Sequence, residues 1–512
     1  MTISELLAEL VDVVSVGHDI HDAALSGASS DSRETGPGEL FIALPGSRRP
    51  GVDFVSQAFG AGCAAALVPH DVDLAPDLRS RCLGVKRIRY NAARAACAIY
   101  DRPTERLLTF GVTGTNGKTS TCHILKHLLE ASGHRVVMLT TVAHEFEGWR
   151  RETPNTTPDA AVVQSVLARG VREGATAAVL EVSAHGVLLD RITGCRFDGL
   201  VFTNLSTDHQ DFFDGIEPYF QQKLRLFTDP VYHKPGCVAA IGTDDPFGRR
   251  VLRDGLLPAL SFGETPQAGP RHVDIATLAQ TETGIGGFLR IEGRDYRVAT
   301  TLTSSFNRAN LAGAAALGVR AGLPAVAVEQ ALMRPIVVPG RLMPVDSPAP
   351  FRVVVDFAHT DSAMLNLLGG LRRECVGKLI VVFGAGGDKD PARRHALPRV
   401  VIEWADIGVI TLDNPRSEPP GAIIEAMVRN WHALAENRSE PAELIVQPDR
   451  RVAIAMALER AGPGDIVVLA GKGHETTQIF ADRTEHHDDR VIAAEWLGRR
   501  YGEKTRERIG AM

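Results

Sequence analysis

Short apolar runs alternate with amphipathic stretches along most of the chain. One such sequence has an apolar run at 107–112, apolar residues at helical spacing over 119–130, and a second apolar run at 136–141. Gly133 lies where a glycine commonly ends a helix. This order predicts strand, loop, helix and strand. Its repetition predicts an α/β fold with mainly parallel sheets.

The N-terminal segment MTISELLAELVDVV has apolar residues at helical spacing, interrupted by Glu5, Glu9 and Asp12. The spacing favours a helix, whereas a secretory signal needs a basic start and an unbroken apolar run. Nowhere does an apolar stretch reach the roughly 18 residues that span a membrane. We therefore expect a cytoplasmic protein without a membrane partner.

Length and charge narrow the picture further. A chain of 512 residues is too long to fold around one hydrophobic core, and we predict domains at 1–105, 106–340 and 341–512. A net charge of -6 gives no electrostatic footprint for nucleic acid. The seven cysteines are scattered singly, which argues against a disulfide framework or a structural zinc site.

Polar residues follow several predicted strands at their carboxyl ends. Glu181 and Ser183 end the run AAVLEVS, and Asn204 ends GLVFTN. After residue 341 the strands end in the segments DFAH, GAGGD, DNPR and GKGHE. In open α/β sheets, ligands bind beyond the carboxyl ends of the strands. We expect the functional site there.

The segment GVTGTNGKTS at 111–120 has the glycines and the Lys-Thr pair of a phosphate loop. The usual motif has four residues between its glycines, and this segment lacks that spacing. Gly114 and Gly117 would let the backbone approach a phosphate, Lys118 would offset charge, and the Thr119 hydroxyl suits Mg²⁺. The alternative is an ordinary glycine-rich turn between a strand and a helix.

Two further residues are candidate metal ligands near this loop. Glu181 ends a strand, as an acidic metal ligand behind a phosphate loop should. His209 follows the end of the neighbouring strand, although a histidine in a loop also makes ordinary hydrogen bonds. A metal site at the loop is therefore one interpretation of this pair.

One lysine falls on an apolar helical stripe. In EPYFQQKLRLF, helical spacing places Lys223 beside Phe220, Leu224 and Phe227. Such a lysine either extends to water or has a depressed pKa. A neutral amine can take up carbon dioxide to form a carbamate, which is an anionic metal ligand.

Taken together, these segments resemble the Mur ligases, three-domain ATP-dependent amide ligases that build the peptide of bacterial peptidoglycan. The family loop, G-x-x-G-x-x-G-K-T/S, is matched at 111–119, and the resemblance covers nearly the whole chain. It implies an α/β fold with a central P-loop ATPase domain and a Rossmann-like C-terminal domain. It also implies ATP and Mg²⁺ as cofactors, and a carbamate on Lys223.

The resemblance assigns roles residue by residue. The segments SSFNRANLAG, VVPGR and DFAHT resemble family motifs around the nucleotide. The implied catalytic residues are Lys118, His209 and Lys223. The implied metal ligands are Thr119, Glu181, His209 and Lys223. The implied ATP-binding residues are Gly114, Thr115, Asn116, Gly117, Lys118, Thr119, Ser120, Asn307, Arg341, Asp356 and His359.

Within the family, the chain resembles members that attach meso-diaminopimelate to UDP-N-acetylmuramoyl-L-alanyl-D-glutamate through an acyl phosphate. An arginine in DNPR would bind the second carboxylate of diaminopimelate bidentately. The implied contacts to the UDP-muramoyl dipeptide are Ser32, Asn155, Thr156, Thr157, Ser183 and Arg191. The implied contacts to the amino acid are Arg394, Asp413, Asn414, Pro415, Arg416, Gly471 and Glu475.

Several alternatives stay open at this point. The chain differs from the family pattern at Leu189, at Asp361 and at Ser47-Arg48-Arg49, so a paralogue that uses another carboxylate in a secondary-metabolite pathway is one alternative. The others are a folylpolyglutamate-synthase-like ligase, a P-loop kinase and a nucleotide-regulated binding protein. We expect a monomer that acts on small molecules.

Overall fold

The computed structural model describes residues 1–46, 49–151, 153, 155–206, 212–265, 271–281, 284–436 and 442–510, apart from the side chains of 502–510. His209 and the pair Ser47-Arg48 lie outside the described residues. Within the described part of the chain, no helix is long and apolar enough to cross a membrane.

The N-terminal part forms a five-stranded sheet of order β1-β5-β4-β3-β2, in which only β1 is antiparallel. Its elements are α1 (Ile3–Glu9), β1 (Val13–Val16), β2 (Ala28–Ser29), β3 (Leu40–Ile42), α2 (Val55–Gly60), β4 (Ala65–Pro69), α3 (Pro76–Arg79), β5 (Cys82–Val85) and α4 (Ile88–Ile99).

The helix favoured for the N-terminus is shorter than its apolar spacing suggests. A capping box between Thr2 and Glu5 starts α1, and the helix ends at Glu9. Asp12 has a φ of 55°, which no helix accommodates, and the valines that follow pair with β5 as a strand. β-branched side chains favour strands, so the end of the segment leaves the helix.

The central part is built on a nine-stranded sheet of order β14-β13-β12-β11-β6-β10-β7-β8-β9. Its strands are parallel except for the pairings of β8 with β7 and β9. Its elements are β6 (Leu108–Thr113), α5 (Lys118–Ala131), β7 (Val136–Leu139), β8 (His144–Phe146), β9 (Trp149–Arg151), α6 (Ala160–Arg172), β10 (Ala177–Glu181), α7 (Ala184–Leu188), β11 (Phe197–Phe202), α8 (Ile216–Thr228), β12 (His233–Gly242), α9 (Pro246–Asp254), β13 (Ala259–Gly263) and β14 (His272–Asp274).

A small antiparallel sheet and two helices complete the central part. These elements are β15 (Leu278–Thr281), β16 (Gly284–Ile291), β17 (Arg294–Thr300), α10 (Phe306–Arg320) and α11 (Ala325–Leu332). α10 packs on α5 and on β12. The small sheet departs from the prediction of alternating strands and helices, because its strands are joined directly.

The C-terminal part forms a six-stranded sheet of order β18-β19-β23-β20-β21-β22, parallel except for β18. Hydrophobic clusters cover both faces, as a buried parallel sheet requires. Its elements are β18 (Met343–Pro344), β19 (Arg352–Asp356), α12 (Asp361–Glu374), β20 (Leu379–Phe383), α13 (Arg393–Trp404), β21 (Ile407–Ile410), α14 (Pro420–Ala435), β22 (Glu443–Val446), α15 (Arg450–Arg460), β23 (Ile466–Ala470), β24 (Thr477–Ile479), β25 (Thr484–His486) and α16 (Asp489–Gly510).

The predicted α/β class and the predicted strands are confirmed. β6 lies between β10 and β11 in parallel register, so three strand ends with polar residues meet at one edge of the central sheet. In the C-terminal sheet, the segments DFAH, GAGGD, DNPR and GKGHE follow β19, β20, β21 and β23. The segments with candidate functional residues therefore lie at the carboxyl edges of two sheets, the central one and the C-terminal one.

Candidate active site

The loop between β6 and α5 depends on two glycines. Gly114 has a φ of 146° and Gly117 a φ of 84°. A Cβ on Gly114 would lie 1.9 Å from Thr203 Oγ1, and one on Gly117 would lie 2.2 Å from Asn310 Oδ1. Both positions thus require glycine for conformation and for space.

The loop is held against the end of β11. The backbone N–H of Thr115 donates to Asn204 O at 2.8 Å, and that of Asn116 donates to Asn204 Oδ1 at 3.0 Å. Lys118 folds back, and its Nζ donates to Thr115 O at 2.8 Å and to Gly114 O at 3.2 Å. This leaves a glycine-rich turn at a helix N-terminus, which is an anion-binding arrangement.

Glu181 ends β10 directly behind the loop. Its Oε2 accepts a hydrogen bond from Thr119 Oγ1 at 3.0 Å and one from the backbone N–H of Thr141 at 2.9 Å. Its Oε1 accepts one from Thr141 Oγ1 at 3.0 Å. A carboxylate beside a hydroxyl offers the hard oxygen ligands that Mg²⁺ takes, so Thr119 and Glu181 fit this cation.

Lys223 lies on the buried stripe of α8. Its side chain is 1% exposed, so the alternative in which it extends to water is wrong. Nζ donates to Gly114 O at 2.7 Å and lies 4.7 Å from the centre of the Tyr219 ring. The amine is therefore in direct contact with the phosphate loop.

The metal ligands predicted from the sequence are only partly described. His209 lies outside the described residues. The structure brings Thr119 and Glu181 into contact, and it brings Lys223 to the loop. Among the described residues, no group of three or more His, Cys, Asp and Glu side chains forms a metal site.

A cavity of about 460 Å³ lies between the phosphate loop and the C-terminal sheet. Apolar residues line one part of it, and polar or charged residues line the rest. The apolar side chains are Leu205, Phe262, Phe306, Ala309, Phe357, Ala363 and Leu367. The polar and charged residues of the predicted site that line it are Thr115, Asn116, Lys118, Thr119, Ser120, Thr156, Glu181, Arg341, Asp356 and His359.

The junction between the two sheets closes one wall of this cavity. Arg341 Nη2 lies 3.4 Å from Thr119 Oγ1, and the guanidinium lies over the Phe357 ring at 5.1 Å. Asp356 accepts hydrogen bonds from the N–H groups of Leu342 and Ala358, both at 2.8 Å. Asp356 therefore fixes the turn that carries Arg341.

Burial shifts the pKa of two junction groups. The pKa of Asp356 is raised, because burial disfavours its charge. The pKa of His359 is lowered to about 4, first by burial and then by the charge of Arg393. His359 Nδ1 lies 2.7 Å from Phe357 O, an arrangement in which a neutral ring donates to the carbonyl.

The sequence analysis missed two residues that line the cavity, Asn310 and Arg393. The predicted Asn307 does not line it: its Nδ2 donates to Thr303 O at 2.7 Å, and its Oδ1 accepts from Asn310 Nδ2 at 2.9 Å. Asn310, the second asparagine of the same segment, lines the cavity instead. Arg393, next to the predicted Arg394, also lines it. The helical phase of α10 and α13 decides which neighbour faces inward.

The side chain of Arg394 lies apart from this cavity wall. Its Nη2 donates to Glu418 Oε1 at 2.8 Å and to Oε2 at 2.7 Å. Its Nε is buried without a hydrogen-bond partner among the described residues. Arg394 is thus a partly satisfied buried guanidinium.

DNPR and GKGHE meet at the carboxyl edge of the C-terminal sheet. Asn414 Nδ2 donates to Glu475 Oε2 at 2.8 Å. Gly471 has a φ of 109°, and a Cβ there would lie 3.1 Å from Asp413 Oδ2. The structure therefore brings together the predicted amino-acid contacts Asp413, Asn414, Gly471 and Glu475.

Arg416 follows Pro415 with a φ of 52°. Its backbone N–H donates to Ile479 O at 3.0 Å, and its Nη1 donates to Gly387 O at 2.8 Å. The left-handed backbone is uncommon for arginine, and these two contacts hold it. The guanidinium keeps further N–H groups for a ligand.

Of the residues predicted to contact the UDP-muramoyl dipeptide, four lie close together: Thr156, Thr157, Ser183 and Arg191. Thr157 Oγ1 donates to Glu181 O at 2.8 Å and accepts from the Ser183 N–H at 3.0 Å. Arg191 Nη1 donates to Thr157 O at 2.7 Å. Thr156 Oγ1 lies 3.0 Å from Thr141 Oγ1 and donates to it, since the Thr141 hydroxyl proton is directed to Glu181.

Two residues of the dipeptide group are not part of this cluster. Ser32 follows β2 in the N-terminal sheet, and its Oγ donates to Gln57 Oε1 at 3.1 Å. Asn155 is exposed, and its N–H donates to Thr153 Oγ1. An ion pair between Glu34 and Arg151 joins the N-terminal and central parts.

Comparison with known proteins supplies the family. The model of the Mur ligase middle domain matches residues 112–318, and that of the Mur ligase glutamate ligase domain matches 340–473. The chain belongs to the Mur ligase family. In this chain, the sheet with the phosphate loop and a second, mainly parallel sheet lie on either side of the cavity.

Individual Mur ligases are similar over nearly the full length. The UDP-N-acetylmuramoyl-L-alanyl-D-glutamate–2,6-diaminopimelate ligase of Solibacter usitatus is 36% identical over 97% of this chain and 98% of its own. That of Streptomyces coelicolor is 37% identical over 97% of each chain. A solved structure of a ligase with this name has a TM-score of 0.62 and 28% identity over 96% of this chain and 99% of its own.

Proposed function

We propose that this protein is an ADP-forming ligase that joins meso-diaminopimelate to UDP-N-acetylmuramoyl-L-alanyl-D-glutamate in peptidoglycan precursor synthesis. The observation that carries the proposal is the shared cavity. Its walls are the phosphate loop and the end of β19, in the same sheet whose DNPR and GKGHE segments are joined by the Asn414–Glu475 hydrogen bond. The names of the full-length relatives support the same substrates.

ATP would occupy the cavity with its phosphates on the loop. The N–H groups of 117–120, at the start of α5, would face the phosphate oxygens, and Lys118 would offset the charge on the transferred group. Asn307 would act through Asn310, and Arg341 would reach ATP from the domain junction beside Thr119. Asp356 and His359 would lie at the adenosine end.

The metal site would be built behind the loop. Thr119 and Glu181 would hold Mg²⁺, with His209 and a carbamate on Lys223 as further ligands. Bound Mg²⁺ supplies charge stabilisation for phosphoryl transfer. Lys223 is buried on the apolar stripe of α8 with its Nζ against the loop, which is the position that a ligand behind the loop requires.

The reaction would proceed in two steps. The γ-carboxylate of the D-glutamyl residue attacks the γ-phosphate of ATP, and ADP leaves. The amine of diaminopimelate then attacks the acyl phosphate, loses a proton and releases phosphate. Approach of the two sheets about residues 337–341 would exclude water, which otherwise hydrolyses the acyl phosphate.

The C-terminal sheet would bind diaminopimelate. Arg416 would hold its distal carboxylate through its remaining N–H groups, and Arg394 would offer its partnerless Nε to the same end. Asp413, Pro415 and Gly471 would shape the site, and Asn414 and Glu475 would face the distal amino-acid head.

The UDP-muramoyl dipeptide, which supplies the acyl group, would lie beside Glu181. Thr156, Thr157, Ser183 and Arg191 gather beside Glu181 and would meet the muramoyl peptide. Ser32 and Asn155 would meet the UDP-sugar end.

We further propose domains at 1–105, 106–340 and 341–512, a monomer in solution and a cytoplasmic location. The boundaries are supported by the gaps between elements: α4 ends at residue 99 and β6 begins at 108, and α11 ends at 332 and β18 begins at 343.

The test measures ADP release with ATP and pairs of substrates. We expect release with UDP-muramoyl dipeptide and meso-diaminopimelate together, and none with either alone. Lys118→Ala should abolish release while its circular dichroism spectrum stays unchanged. ADP release with a different carboxylate, but none with the dipeptide, would replace this proposal by the paralogue in a secondary pathway.

A second assay tests the amino-acid selector. Arg416→Ala should raise the KM for diaminopimelate by at least about tenfold with little effect on the KM for ATP, because a desolvated charged pair is lost. Arg290→Ala is the matched control, since Arg290 makes an exposed bidentate pair with Asp295 on the small sheet. Equal KM values for lysine and diaminopimelate in the unmutated protein would refute the assignment.

A further inference from the structure

The lysine of GKGHE is buried in the C-terminal sheet edge. The Lys472 side chain is 0% exposed, although lysine is rarely buried without partners. Its Nζ lies 3.0 Å from Asn414 Oδ1, 3.0 Å from Glu475 Oε2 and 3.8 Å from Asp413 Oδ1. One ammonium therefore contacts both segments that form the amino-acid site.

The first effect of this ammonium is on the amide of Asn414. Asn414 Oδ1 accepts hydrogen bonds from Lys472 and from the backbone N–H of Ile479, at 3.0 Å each. Both partners are donors only, so the oxygen of the amide must face them. The Nδ2 group is thereby directed to Glu475.

The second effect is on the carboxylate of Glu475. Its Oε2 accepts from both Lys472 and Asn414, at 3.0 Å and 2.8 Å. Its Oε1 accepts no hydrogen bond from the part of the chain that the structure describes. The side chain is partly exposed. Oε2 of Glu475 is thus held by hydrogen bonds within the protein, whereas Oε1 is left for a ligand in the amino-acid site.

We infer that Lys472 is a positioning residue that sets the orientation of Asn414 and Glu475 for the distal ammonium of the amino-acid substrate. The inference rests on the proposed function for the identity of that substrate. Lys472 does not touch the ligand, because it has no exposed surface. Its charge offsets the buried carboxylate of Asp413 and one oxygen of Glu475, so that a single carboxylate oxygen meets the incoming cation.

The test is Lys472→Met, which keeps the length of the side chain and removes the charge. We expect the KM for diaminopimelate to rise by at least about tenfold, as when one partner of a desolvated charged pair is removed. The KM for ATP and kcat should change by less than about threefold. Lys472→Gln, which keeps a donor, should give the same separation if Lys472→Met does not fold.

The matched control is Lys234→Met. Lys234 is also well buried and paired, with Nζ 2.7 Å from Asp198 Oδ2, but it lies in the central sheet. Its substitution should lower thermal stability and leave both KM values unchanged. An unchanged KM for diaminopimelate in Lys472→Met, or an equal rise for both substrates, would overturn the inference.

A double-mutant cycle separates positioning from general loss of structure. In a Glu475→Gln background, Lys472→Met should raise the KM for diaminopimelate by a smaller factor than in the unmutated protein, because one of the two groups that Lys472 orients, the carboxylate, is already gone. Additive effects would overturn the inference. Failure of the unmutated protein to use diaminopimelate at all would instead refute the proposed function.

Discussion

The strongest stability prediction concerns a buried ion pair beneath the amino-acid site. Arg450 begins α15, Asp489 begins α16, and both side chains are 0% exposed. The guanidinium donates to Asp489 from Nε at 2.9 Å and from Nη2 at 2.6 Å, and Nη2 also donates to Ala470 O. Ala470 directly precedes GKGHE, so the pair joins two helices to the end of β23.

Arg450→Met should lower the free energy of unfolding of the C-terminal part by about 3–5 kcal/mol, because Asp489 would remain buried without its partner. Burial alone would raise the pKa of Asp489, but Arg450 and His487 hold it below its usual range. A lowered carboxyl pKa stabilises the fold above the unfolded value near 3.9 and loses this effect as pH falls through the folded value. The full effect is therefore present at pH 7.

The assay is urea unfolding at pH 7 followed by tryptophan fluorescence. Three of the four tryptophans, Trp404, Trp431 and Trp496, lie in the C-terminal part and report its transition. Arg460→Met is the control on the same helix, since Arg460 makes an exposed pair with Glu443. It should cost less than about 1 kcal/mol.

The double variant Arg450→Met/Asp489→Leu removes both charges and should recover most of the loss. A loss of less than about 1 kcal/mol in Arg450→Met, or a double variant as unstable as the single one, would refute the reasoning. The first result would mean that water reaches Asp489. The second would mean that packing around Arg450, and not charge, holds the helices.

Three more perturbations probe the central part. Burial and then Arg151 lower the pKa of His144 to about 4. As pH falls, His144 is protonated below about 6.5 in the unfolded chain but only below about 4 in the folded chain, so acid lowers the free energy of unfolding. In His144→Leu, about 2 kcal/mol of this loss between pH 8 and pH 5 should disappear in urea titrations. Gly117→Ala should lower the rate of ADP release far more than Gly133→Ala, because both have left-handed φ but only Gly117 has a close neighbour; equal rates would show that the loop has room. Lys223→Ala should lose most activity and regain part with acetate, whereas Lys223→Arg should not; no rescue would speak against the carbamate.

The sequence predicted the features that depend on local pattern. The strand–loop–helix order around 107–130 was predicted from periodicity within a few residues, whereas the assignment of its loop as a phosphate loop came from the resemblance to the family motif. The position of Lys223 on an apolar stripe was predicted, but the choice between extension to water and burial was left open, and the structure shows burial. The α/β class followed from repetition of the same local signal.

Features that depend on distant contacts could not be predicted. The ammonium of Lys472 meets Asn414, 58 residues away, and no pattern near GKGHE reveals that contact. The choice between Arg393 and Arg394 depends on how α13 is rotated against β20 and α14. The end of α1 was misjudged because pairing with β5 outweighs helical spacing for Val13 and its neighbours.

The divided wall of the cavity has a consequence for how the protein melts. A nucleotide bound there would contact the phosphate loop and the end of β19 at once. Its binding energy would then be lost when either sheet unfolds, since both contribute residues to the cavity wall. If the two regions of the free protein melt in separate transitions, they should therefore melt together at saturating nucleotide. Calorimetry would show one sharpened transition in place of two, a direct report of how strongly the ligand couples the two halves.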